Sequence, residues 1–348
     1  MKINNLTFEA PNEGTNNVGN EYWRKYLTVD SRGRVIDELD NYVKYLENHP
    51  KYAGKFKYNE LSDTYEFDGK CITEGNICSI RIDTDTDMKL HKTKYIDYAI
   101  DYICEKNPYN PVIDYLNSLK WDGEERIATI FNKCFGVEDN DVVRAMAKSW
   151  FCGAVRRMFE PGCELTNLMV IANDKYQEVC FFCYDISKGL FSQYPVYNHS
   201  KNKKLLLYSA VIGKWIVCAE CGWYSIGKPI DKIRTDMLCT NEDTLYGRTN
   251  KRRCSFIIDA YNPDTLQQLS YHTSDRISLL MADGDYHAYD MDKILTKDVV
   301  DQLWAEAVHY YKSGVKYDRQ FTPDWELYDD YVKYIDNIIA DAKKNRKQ

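Results

Sequence analysis

The chain has 348 residues, 44% of them hydrophobic and 28% charged, which is the balance of a soluble globular protein with room for more than one core. Lys and Arg number 46 against 53 Asp and Glu, a formal charge of −7, so nucleic acid is repelled at long range and any such binding must use a local basic patch. No run approaches the roughly 18 apolar residues of a membrane helix, and the start MKINNLTFEAPNEG lacks the apolar stretch of a signal peptide. A cytoplasmic protein without a membrane partner is expected, with its 12 cysteines read as reduced thiols.

Residues 1–20, rich in Asn, Gly and Glu, read as a disordered arm. Residues 21–109 read as a small N-terminal accessory domain. It holds a charged helix around Asp37–Glu47, a hairpin over KYNELSDTYEF and a helix with Ile96, Ala99, Ile100 and Ile103 at helical spacing. SIRIDTDTDMKLH alternates acids but lacks the glycine and final glutamate of a calcium loop. The 29 tyrosines are given little weight.

Residues 110–162 predict a helical lead-in. Asn110 caps and Pro111 opens a helix with Ile113, Leu116 and Leu119 inward, and Trp121-Asp122-Gly123 breaks it. A second helix, through Ile127, Ile130 and Phe131, stops at Gly136, and a third runs from Asn140 to Phe159. Residues 163–317 follow as alternating strands and helices. LMVIA is a buried strand, a helix covers Gln177–Ile186, LLLYSAVIG leads into a strand WIVCA, another helix lies near Asp231–Leu238, and SFIIDA is a third strand. Such alternation predicts an α/β fold with a mostly parallel sheet covered by helices on both faces. The helix DVVDQLWAEAVHYYKSG closes this core, with His309 on it read as a surface or satisfied side chain; residues 318–348 form a C-terminal helix with a basic tail.

NPVIDYLNSLKWDGEERI, MFEPGCELTNLMVI, IGKWIV and DQLWAEAVHYYKSG, in this order, resemble the virulence-associated protein E (VapE/VirE) family. These are helicase-like P-loop proteins, related to superfamily 3 helicases, of phages and mobile elements. The resemblance implies a P-loop NTPase-like core, ATP and magnesium as the family's ligands, and DNA or replication proteins of phage or host as partners. It also implies assembly into homo-oligomers. In register with the family, the phosphate loop follows LMVI, yet the segment NDKYQEVC contains no glycine for an amide nest. Glu178 stands where the phosphate-binding lysine belongs, Val179 where the hydroxyl that holds magnesium belongs, and Lys175 is the nearest cation. A carboxylate about 4 Å from a phosphate oxygen costs about 1 kcal/mol even in bulk water.

The acidic element after GKWIV reads CAECGW, leaving Glu220 between two cysteines and placed by alternation on the wrong face of its strand. Asn262 matches the family's polar sensor and Arg276 its inter-subunit arginine. With the lysine and carboxylates missing together, the expectation is a non-hydrolysing pseudo-ATPase that needs no cofactor. The alternatives are an active helicase with an unorthodox loop and an inhibitor of a host complex, such as a counter-defence factor. LYGRTNKRRCSF reads as a hairpin with Arg248, Lys251, Arg252 and Arg253 at or near its tip, in the interval where superfamily 3 helicases grip DNA. Two CxxC pairs, Cys180/Cys183 and Cys218/Cys221, formally suit zinc, but their apolar setting favours buried thiols and no metal.

Overall fold

The computed structural model describes residues 21–165, 168–172, 178–195, 203–221, 242–245, 248–260, 277–282 and 291–314, with isolated positions between 330 and 340. The expected arm over 1–20, the helix near Asp231–Leu238 and most of the C-terminal helix lie outside the described residues. Two compact units result, one made of residues 1–60 and 64–109, the other of 61–63 and 110–348. Among the described residues no helix is long and apolar enough to cross a membrane.

The smaller unit contains α1 (Leu39–Asn48), β1 (Phe56–Asn59), β2 (Thr64–Phe67), β3 (Lys70–Cys71), α2 (Glu74–Met88), α3 (Thr93–Lys106) and β4 (Pro108–Tyr109). Its sheet runs β3-β2-β1-β4, with β1 antiparallel to β2 as the hairpin reading expects and parallel to β4. The acid-alternating segment is helical. Thr73 and Asn76 form a reciprocal capping box at the start of α2, and Ile80, Thr84 and Met88, four apart, form its buried face.

The core of this unit is aromatic. Tyr42, Tyr45, Tyr52 and Phe56 are almost wholly buried. The tyrosine hydroxyls reach carboxylates at the rim: Tyr42 donates to Asp37 at 2.8 Å, Tyr45 to Asp87 at 2.7 Å, and Tyr52 to Asp83. Tyr65 follows the same rule, donating to Glu105 at 2.7 Å. The rings thereby bury large apolar area while each polar tip stays paired.

The larger unit opens with α4 (Pro111–Ser118), α5 (Ile127–Phe135) and α6 (Asp141–Phe159). Asn110 accepts from the amides of Val112 and Ile113, Asn140 from that of Val143, and Gly136 ends α5 at φ +63°, all as the local signals predict. There follow β5 (Leu168–Ala172), α7 (Glu178–Ile186), β6 (Phe191–Pro195), α8 (Lys203–Val211), β7 (Ile216–Cys221), β8 (Glu242–Leu245), β9 (Arg248–Lys251), β10 (Ser255–Ala260) and β11 (Ile277–Met281). The short α9 (Met291–Ile294) and the long α10 (Lys297–Lys312) complete it.

Five strands form a fully parallel sheet flanked by helices, in the order β11-β5-β10-β7-β6. The sequence reading missed two of them. The edge strand β6, FSQYP, is too polar to show a buried-strand pattern, and β11, ISLLM, is an apolar run of only five residues, which periodicity cannot assign. LLLYSAVIG supplies the helix α8 that precedes β7. In the sheet β5 lies between β10 and β11, so the chain order reverses about β5, the kind of place where open parallel sheets bind ligands at the carboxyl ends of their strands.

The phrases LKWDGEERI and DQLWAEAV meet in space. Glu306 of α10 accepts from the amides of Arg126 at 2.7 Å and Ile127 at 3.0 Å, so a distant side chain caps α5. Gln302 accepts from the Asp122 amide at 2.9 Å and donates to the Lys120 carbonyl at 3.1 Å. Trp304 donates to the Ile186 carbonyl at 2.7 Å, fixing the end of α7, and packs on Trp215 with ring centroids 4.2 Å apart. His309 is exposed and lies against Trp121, centroids 4.6 Å apart.

Candidate functional site

The site is built where β7 and β10 run side by side beneath α7. Cys218 is paired in register with Ile257, and Glu220 with Asp259, so neighbouring strands bring Cys218, Glu220 and Asp259 to one face of the sheet. α7 delivers Cys180 to the same face. Its Sγ lies 3.4 Å from Cys218 Sγ and 3.6 Å from Glu220 Oε1, and it accepts from Gln193 Nε2 of β6 at 3.2 Å. The ligand-type atoms of Cys180, Cys218 and Asp259 all lie within 4.8 Å of one another. Cys180 is 6% exposed, while Cys183, Cys218 and Asp259 are at 0%.

The thiols are coupled. The hydrogen bond that Cys180 donates to Cys218, together with burial, pushes its thiol well above the usual range; burial raises that of Cys183. They are therefore protonated at neutral pH. These are buried thiols, as their apolar setting predicts, but they converge on carboxylates that apolarity alone does not foretell.

Several sequence-derived positions receive a location here. Glu220 is not turned away: it faces Cys180 of α7, because the strand's last residues pair with β10 so that Cys218 and Glu220 share the α7 side. Val179 is fully buried in the core and carries no oxygen. Glu178 is the first residue of α7, with its side chain outside the described part; Lys175, Asn262 and Arg276 lie outside it altogether. Of the CxxC pairs, Cys180, Cys183 and Cys218 come together, and Cys221 is the last residue of β7 with its side chain outside the described part. Asp259 and Gln193 were missed. The signal for Asp259 was legible, since an acid inside the run SFIIDA is unusual in a strand buried on both faces.

The basic hairpin needs correcting. β8 and β9 pair from Glu242–Lys251 to Leu245–Arg248, so of the four cations Arg248 alone stands at the end where the two strands are closest in sequence. Lys251 is exposed at the open end. Arg252 is 2% exposed, with its guanidinium 5.4 Å from the Phe256 ring centroid, and Arg253 donates to the Met158 carbonyl in the last turn of α6 at 3.4 Å. These two arginines sit at the base of the hairpin and not at its tip; Arg253 serves the carbonyl end of a helix, where cations are favoured.

Magnesium, which the resemblance implies, requires an octahedral shell of oxygens. The donors gathered around Cys180 are two sulfurs and two carboxylates, a set that does not fit it.

The model of the virulence-associated protein E-like domain matches residues 116–333, well over half of the chain. Among solved structures, the chain is similar to the apo NrS-1 C-terminal region, at 12% identity with a TM-score of 0.43 over 76% of this chain and 67% of that one. It is also similar to the A form of the same apo region, at 13% identity and a TM-score of 0.41, over 76% of this chain and 66% of that one, so it spans about two thirds of their length. No curated protein matches. The chain belongs to the virulence-associated protein E-like family.

Proposed function

We propose that this is a helicase-like protein of a phage or other mobile element that does not hydrolyse nucleotide and acts by binding DNA or replication proteins. The observation that carries this reading is Val179. At the position where the family holds magnesium through a hydroxyl stands a fully buried hydrocarbon side chain. The adjoining Cys180 packs onto Cys218, so two thiols stand among the carboxylates of Glu220 and Asp259 on ground where phosphoryl transfer needs an all-oxygen shell around magnesium. DNA contact would fall to Arg248, the first residue of β9, and the exposed Lys251, its last.

Isothermal titration of the full chain with ATP and magnesium, beside a steady-state hydrolysis assay with and without single-stranded DNA, tests the first part. Neither binding heat nor turnover is expected; turnover stimulated by DNA and lost in Arg276→Ala would establish a working ATPase instead. For the second part, Arg248→Glu with Lys251→Glu should weaken DNA binding and reduce its salt slope by between about one and two. Unchanged affinity and slope would remove the hairpin from the DNA site.

A further inference from the structure

Thiols and carboxylates that converge from separate elements are a ligand set for a particular kind of ion. We propose that Cys180, Cys218 and Asp259, completed by Glu220, bind a divalent transition-metal ion of the zinc class. The three core groups lie within 4.8 Å of one another and come from α7, β7 and β10, with Glu220 Oε1 3.6 Å from the Cys180 sulfur on the more open side. Zinc takes thiolate sulfur at about 2.3 Å and carboxylate oxygen at about 2.0–2.2 Å in a tetrahedron, which sets its two sulfurs about 3.8 Å apart. The observed separation is 3.4 Å, so the sulfurs must open by only a few tenths of an ångström.

Thiolates select zinc, copper(I) and iron over magnesium or calcium, and the carboxylates favour a divalent ion over copper(I). Gln193, whose Nε2 already reaches Cys180 Sγ at 3.2 Å, can keep donating to the metal-bound thiolate as an outer-shell partner. Binding is a proton exchange: the ion enters, two sulfur–metal bonds form, and the protons of Cys180 and Cys218 leave to solvent. No oxidant or reductant takes part. The site does not depend on the non-hydrolysing reading, since metal affinity and ATP turnover are measured separately.

The test uses the full chain, stripped of metal and titrated with Co²⁺ and then Zn²⁺. Thiolate-to-cobalt charge-transfer absorption should saturate at one equivalent, release about two protons per ion, and be bleached by one equivalent of zinc. Cys180→Ser or Cys218→Ser should at least halve the band at saturation and lower affinity beyond the roughly 100-fold of an outer-shell change. Asp259→Asn should weaken binding while the band persists. Cys71→Ser with Cys78→Ser, at the exposed thiols, should change nothing. Should a serine variant fail to fold, zinc-edge absorption of the unaltered chain decides, with two sulfurs and two oxygens expected in the first shell. Absence of stoichiometric cobalt binding, a band undiminished in Cys180→Ser, or a shell without sulfur would overturn the proposal.

Discussion

The two units weight the pairing of their buried polar atoms differently, though each holds both kinds: Asn41 of the smaller unit bonds the main chain of Thr28 and Ile36, and Tyr115 of the larger donates to Asp301 at 2.6 Å. In the smaller one, tyrosine rings fill the core and their hydroxyls end on Asp37, Asp83, Asp87 and Glu105, all ionisable side chains near the surface. In the larger one, Trp150 and Trp304 donate to main-chain carbonyls of Phe256 and Ile186, and Glu306 accepts from main-chain amides. An indole paired with the main chain fixes one element against another whatever the pH. Pairing with rim carboxylates ties stability to their ionisation. The larger unit is thus built to hold α7 and β7 in place beside the thiol site, and the smaller one to tolerate a polar aromatic composition.

The sharpest way to break this contrast is Trp304→Ala. It removes the stack on Trp215 and the bond to Ile186 from a fully buried position and should cost about 3–5 kcal/mol in denaturant unfolding. A loss below about 1 kcal/mol would mean that the indole is not the tie between α10 and α7. Next in size is Glu306→Ala, which strands two amides at the start of α5 and should cost about 1–3 kcal/mol.

Glu306→Gln separates charge from capping. Burial raises the carboxyl's pKa above 4.5, only partly offset by the amides of Arg126 and Ile127. Its contribution is therefore full below that value and declines as pH rises through the higher folded pKa. The glutamine keeps an acceptor and should flatten that decline, as seen in unfolding midpoints measured across the acid range.

These contacts also explain what could be read in advance. The caps at Asn110 and Asn140 and the stop at Gly136 are local, so the residue and its neighbours suffice. LKWDGEERI and DQLWAEAV marked the family without disclosing why; their bonds join residues some 180 positions apart, invisible to any window. The same holds for the site. CxxC spacing grouped Cys180 with Cys183 and Cys218 with Cys221, whereas the cluster follows cross-strand register, which adds Asp259 and returns Glu220 to the α7 side. Arg252 is expected near the hairpin tip because a charge is assumed to be wet, but its neighbours Cys254, Ser255 and Phe256 are buried. The tyrosines, discounted as composition, carry the core of the smaller unit.

The smaller effects test the rim. Tyr45→Phe deletes the hydroxyl bond to Asp87 while leaving the ring in place and should cost about 1 kcal/mol. Smaller still is the pH dependence at Asp83. Burial pushes this carboxyl up, but hydrogen bonds from Lys51 and Tyr52 outweigh it and hold the folded pKa below 3.8. Its stabilising contribution is present above that value and is lost as pH falls through the folded pKa. Lys51 is half exposed, so water and salt screen the pair and the amplitude should stay below about 1 kcal/mol. Asp83→Asn should remove this acid-limb component without altering the limb that Glu306→Gln flattens. If both variants changed the same limb, the opposite shifts of Asp83 and Glu306 would not describe how the protein responds to protons.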